Sequence, residues 1–159
     1  MALRDSLKTG IGFGINSSVI TTLGLMIGLF AGTHSKLAVI GGIVTIAIAD
    51  AFSDSLAIHI SEESKSKEDE HVRESTISAF FAKFLAAIIF LPAVLVLPIL
   101  EGIVANVLLG MGILGAFSYY VAKERGDAPL HTIFEHVAIG ATVILITYFV
   151  GDMIGGIMS

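Results

Sequence analysis

The sequence contains no cysteine, which excludes disulfides, thiolate metal sites and cysteine nucleophiles. It is also poor in charge. Asp, Glu, Lys and Arg make up 14% of its 159 residues, where soluble domains carry roughly a quarter. A soluble fold of this length must leave a large share of its surface facing water, and so few charges cannot cover it. Positive charge is not in surplus either. The formal net charge of −5 argues against a polybasic lipid-binding surface.

What the chain has instead is apolar length. Hydrophobic residues make up 55% of it, and residues 9–35 and 102–122 carry no Asp, Glu, Lys or Arg at all. A run of about 18 such residues is enough to propose a membrane span. The pattern is that of an all-α polytopic membrane protein, which excludes a nucleic-acid binder and a soluble enzyme. Breaks in hydrophobicity predict five spans in a single transmembrane domain over residues 1–159, at about 10–32, 37–60, 77–100, 102–122 and 130–157. Arg4 and Lys8 before the first apolar run resemble the start of a signal peptide. The run is too long for one, so it reads as an uncleaved first helix.

The connections follow from local chemistry. Residues 33–36 form a tight hairpin, and residues 61–76 form one acidic polar loop. Pro98, Glu101 and Gly102 predict a sharp turn. Gly126 closes the fourth helix, with Asp127 as a cap and Pro129 in the first turn of the fifth. Arg4, Lys8, Lys65, Lys67, Arg73, Lys123 and Arg125 then fall on one side of the membrane and Lys36 alone on the other. Under the positive-inside rule the N-terminus is cytoplasmic and the C-terminus external. Lys83, a turn or two inside the third span, is expected to snorkel to the cytoplasmic interface.

Ionisable groups inside a span are costly and mark functional positions. Asp50 and Asp54 in the second span are spaced i, i+4, which puts both carboxylates on one helix face. Two adjacent carboxylates repel, so either one keeps a proton or a cation sits between them. Oxygen ligands of this kind suit hard divalent cations. The plainer alternative is that both are protonated or hydrogen-bonded to neighbouring helices. The first span has a matching stripe of Gly10, Gly14, Ser17, Thr21, Gly24 and Gly28, with Asn16, Ser18 and Thr22 beside it. Its small residues, with Gly32 extending them, permit close helix packing. Asn16, Ser17 and Thr21 fall at the depth of the Asp pair, where their oxygens complete an oxygen-only metal site.

Other polar groups are secondary candidates. His131 and Glu135, again i, i+4 and followed by His136, suit a metal or proton relay, or else interfacial solvation. Glu70 and Glu74 stand in the acidic loop, where carboxylates raise the local cation concentration; an ordinary solvated helical hairpin is the plainer explanation of either one. Asn106 and Asp152 line an exit or face water, and His59 is expected at the interface.

The order of these residues resembles the vacuolar iron transporter family, whose members move ferrous iron and manganese across membranes. The first span (FGINSSVITTLGLMIGLFAG) is similar to the family's first helix in its Thr-Thr-x-Gly-Leu-x-x-Gly core. The stretch ADAFSDSLAIHIS resembles the second helix at Ser53 and Ser61. The stretch VAIGATVILITYFVG resembles the last helix, including Ile139-Gly140, Thr147-Tyr148 and Gly151. The resemblance covers nearly the whole chain and also implies five spans with the N-terminus inside. It further implies a divalent-cation transporter that is proton-coupled and homodimeric, with Fe²⁺ or Mn²⁺ as substrate rather than bound cofactor. The small-residue face of the first span, with Gly24, Gly28 and Gly32, is expected at or near the dimer interface. The chain is expected to lie in the cell membrane and not to be an enzyme.

Three departures bear on mechanism. Ser17 stands where the family has an Asp, Asp54 and Ile58 where it has a Met and a Glu, and the long cytoplasmic insert is reduced to the acidic loop. Loss of the Met favours harder ions such as Mn²⁺, Fe²⁺, Ca²⁺ or Mg²⁺. Two other classes remain beside the transporter. An intramembrane aspartyl protease needs Gly-x-Gly-Asp, but Phe149 holds the first Gly position before Gly151 and Asp152. A membrane scaffold or regulator would keep the fold without transport.

Overall fold

Helices make up 92% of the structure, a computed structural model that describes residues 5–65 and 67–158, and no strand occurs among these residues. Arg4, one of the basic residues behind the expected orientation, and Ser159 at the C-terminus lie outside them. The described helices are α1 (Asp5–Thr33), α2 (Lys36–Ser64), α3 (Asp69–Ile88), α4 (Leu91–Val96), α5 (Ile99–Arg125) and α6 (Pro129–Met158). Five stretches are long and apolar enough to cross a membrane: α1, α2, α3 with α4, α5 and α6. The chain is thus an all-α, multi-pass integral membrane protein suited to a lipid bilayer.

Boundaries differ from the sequence expectation in instructive places. The acidic loop expected over 61–76 is mostly helical, because α2 runs on to Ser64 and α3 begins at Asp69. Asp69 and Glu70 lie in the first turn of α3, where carboxylates complement the helix dipole. The third span is broken at Ile89 and Phe90, next to Pro92 at the start of α4; Pro92 has no N–H to continue the ladder. Between the third and fourth spans, α5 starts at Ile99 with Pro98 as its N-cap, so Glu101 and Gly102 of the expected turn are already helical. Gly126 closes α5 in the left-handed conformation at φ 77°. Ala128, not Asp127, occupies the position before α6.

The chain groups into two compact units. Unit one comprises Met1–Ser18 and Val44–Ile89. Here α1 lies against α3 through small residues. A methyl group at Gly14 would come 2.8 Å from the Ala82 Cβ and 3.0 Å from the Lys83 backbone nitrogen. The Ser18 hydroxyl donates to the Lys83 carbonyl at 2.9 Å. Phe52 packs edge-on against Phe80, and Phe80 stacks on Phe84. His59 is half-buried, its Nδ1 3.1 Å from the Thr76 hydroxyl.

Unit two comprises Val19–Ile43 and Phe90–Ser159. Its core gathers Leu23, Met26, Ile43, Phe90, Val94 and Leu114. The α1–α2 hairpin turns on His34, at φ 50°, with the Ser35 hydroxyl accepting from the Ala38 N–H at 3.2 Å. Lys36 donates to the Leu95 and Leu97 carbonyls, both at 3.0 Å, which satisfies the end of α4. Asn106 is wholly buried and does not line an exit. Its Nδ2 donates to the Phe90 carbonyl at 2.8 Å and lies 3.3 Å from the Met26 sulfur, so it ties α5 to the break in the third span.

The Gly24–Gly28–Gly32 stretch of α1 meets α6 within this unit. A methyl group at Gly32 would come 2.9 Å from the Gly151 carbonyl oxygen, and one at Gly155 2.7 Å from that of Gly32. The small-residue face of α1 thus packs within its own chain, against α3 at Gly10 and Gly14 and against α6 at Gly24, Gly28 and Gly32.

Candidate cation site

The strongest polar constellation of the described residues lies in unit one. Asp50 and Asp54 sit one turn apart in α2, Ser17 comes from α1, and Lys83 comes from α3. Lys83 does not snorkel. It is 1% exposed, and its ammonium lies 2.7 Å from Asp50 Oδ2 and pairs directly with Asp54 Oδ2. It also donates to the Ser17 hydroxyl at 2.7 Å. Ser17 in turn donates to Asp54 Oδ2 at 2.9 Å. The cation that two neighbouring carboxylates call for is therefore supplied by the protein itself.

Local sequence explains why Lys83 reaches this place. Ala79 and Ala87, one turn to either side on α3, are buried, and Gly14 lets α1 approach the backbone at Lys83. A long side chain then runs inward between small neighbours at i−4 and i+4. The Ser18 bond to the Lys83 carbonyl fixes that turn against α1.

Exposure is unequal across the cluster. The Lys83 side chain is 2% exposed, while those of Asp50 and Asp54 are 26% and 20% exposed. The ammonium is sealed and the carboxylates keep an open edge. Next to Ser17, the Asn16 Oδ1 is buried with no hydrogen-bond partner among the described residues.

The remaining candidates lie elsewhere. Thr21 belongs to unit two and lines an apolar groove of about 670 Å³ with Gly24, Gly28, Val143 and Thr147. Glu70 and Glu74 line a cavity of about 300 Å³ with Asp5, Glu68 and His71, and the Ser6 hydroxyl donates to Glu74 at 2.7 Å. His131 and Glu135 are exposed and line a cavity of about 420 Å³ with Arg125, Asp127 and His136. His136 Nδ1 lies 2.8 Å from the Ser118 hydroxyl. Among the described residues, no three His, Asp or Glu side chains gather so as to hold a metal ion. Of the candidate residues, Ser17 is brought directly to the Asp pair, together with Lys83.

Lys83 is the member that sequence reasoning misplaced. Its signal was present: it is the one basic residue within a predicted span, in a chain with two carboxylates inside another. No protein-family model matches the chain, and no curated protein matches it.

Proposed function

We propose that this chain is a membrane carrier, not an enzyme, for divalent cations of the Fe²⁺ and Mn²⁺ class, coupled to protons, with Asp54 and Asp50 as the ligands its substrate meets. One observation carries the reading: two carboxylates inside an apolar helix converge with a hydroxyl on a single point of positive charge. Groups so costly within a span mark ion pathways. Carboxylate and hydroxyl oxygens are the donors that hard divalent ions prefer, and the carboxylates' open edges give a substrate access to them.

The family resemblance supports the same cargo. It adds the proton coupling and the homodimer, and we place the carrier in the cell membrane. The distribution of Lys and Arg supports a cytoplasmic N-terminus and an external C-terminus.

Lys83 itself favours a second reading. An ammonium sealed among three oxygens satisfies the carboxylates internally, as a scaffold that does not transport would. Metal uptake into proteoliposomes containing only this protein separates the two. A carrier takes up Mn²⁺ or Fe²⁺ above the protein-free level, and Asp54→Asn removes that uptake while Lys83 keeps Asp50 and the fold. A folded parent protein without flux leaves the scaffold reading standing.

A further inference from the structure

We infer that Lys83 is the specificity-determining residue of this site: a tethered cation that admits divalent ions and shuts out monovalent ones. The inference rests on the carrier reading and adds the means of discrimination. The Lys83 ammonium already occupies the place a cation would take, 2.7 Å from Asp50, paired with Asp54 and 2.7 Å from Ser17. An arriving ion meets the carboxylates at their open edges and must compete with this ammonium for the same oxygens.

The competition is unequal by charge. A tethered competitor acts at an effective concentration in the mM range or above. A monovalent ion brings the same charge as the ammonium and so has no Coulombic advantage with which to overcome the tether. A divalent ion brings twice the charge, and attraction to the carboxylates scales with that charge. The movement it demands is a change of rotamer that gives up the contacts to Asp50, Asp54 and Ser17 and changes no covalent bond. Ala79 and Ala87 at i−4 and i+4 are small neighbours of Lys83 on that face, and Gly14 lies opposite.

The test compares the reconstituted parent with Lys83→Met, which keeps the length of the side chain and removes its charge. In the parent, Mn²⁺ raises the melting temperature, Na⁺ does not, and Na⁺ leaves Mn²⁺ uptake unaffected. In Lys83→Met, Na⁺ stabilises the protein and inhibits Mn²⁺ uptake, with apparent Na⁺ affinity raised by about tenfold or more. A purely structural role for Lys83 would lower stability without changing the ratio of the two ions. Parent-like discrimination in the folded variant overturns the inference and leaves the carrier standing.

Should Lys83→Met not fold, labelling of the parent by a small membrane-permeant amine reagent decides. Mn²⁺, and not Na⁺, is expected to increase labelling of Lys83 as read by mass spectrometry. Labelling unchanged by Mn²⁺ in a preparation that transports it overturns the inference. A folded parent with neither Mn²⁺ flux nor Mn²⁺ stabilisation overturns the carrier reading and this inference with it.

Discussion

Lys83 holds Asp54 twice, once by direct pairing and once through Ser17, whose hydroxyl accepts from the ammonium at 2.7 Å and donates to the carboxylate at 2.9 Å. The hydroxyl can bridge in this way because it is both donor and acceptor. Ser17 thereby orients Asp54 so that one of its oxygens faces both α1 and α3. An Asp at position 17 would instead add a third carboxylate, and Lys83 alone would face all three.

The pairing is expected to be energetically coupled. Lys83→Met leaves two adjacent carboxylates without the ammonium and should cost about 3–5 kcal/mol, the scale of breaking a buried ion pair by removing one partner. Adding Asp54→Asn removes the repulsion just created. The double variant should therefore be less destabilised than the sum of the singles, by about 0.5–3 kcal/mol. Unfolding of all four proteins in one detergent gives this coupling. Simple additivity would mean that the contact contributes nothing to stability.

Much of the architecture was readable from one-dimensional signals. Runs without charge set the five spans, and Gly126, free to adopt φ 77°, set the end of α5. The Asp50–Asp54 face followed from helical periodicity within a single helix. What could not be read were contacts between helices. Lys83 was placed by its distance from the end of a span, which says nothing about the two carboxylates that α2 brings to it. Asn106 looked like a residue at an exit because its partners, Phe90 and Met26, lie on other segments. The glycine stripe announced close packing without naming its partners, which are α3 for Gly10 and Gly14 and α6 for Gly24, Gly28 and Gly32.

Gly32 tests that assignment. A side chain there runs into the Gly151 backbone, since even a methyl group would come 2.9 Å from its carbonyl oxygen. Backbone cannot step aside as a flexible side chain can. Gly32→Leu should lower stability by about 1–3 kcal/mol through overpacking. Because the contact lies within one chain, the loss should be the same at every protein concentration. A loss that vanishes at high concentration would place the stripe between copies instead.

Asn106 offers a separate check on the break in the third span. Its amide donates to the Phe90 carbonyl beside the point where the helical ladder is interrupted. Asn106→Leu keeps the volume and leaves that carbonyl without its donor. A buried acceptor left unpaired costs about 1–3 kcal/mol. Thermal unfolding in detergent should show the loss with no change in the Asp50–Asp54–Lys83 coupling energy. A variant as stable as the parent would show that the carbonyl finds another donor.

The orientation can be tested without background, because the native chain has no cysteine. Glu68 precedes α3 and His34 lies in the hairpin between α1 and α2, and both are exposed. Consecutive helices that each cross the membrane put these two positions on opposite sides. Lys65 and Lys67 flank Glu68 and Arg73 lies in the first turns of α3, whereas Lys36 at the start of α2 is alone beside the hairpin. The positive-inside rule therefore places position 68 in the cytoplasm and position 34 outside. In intact cells, His34→Cys should react with a membrane-impermeant maleimide and Glu68→Cys should react only after permeabilisation. The reverse pattern would invert the chain, and reaction of both from outside would mean that α2 does not cross.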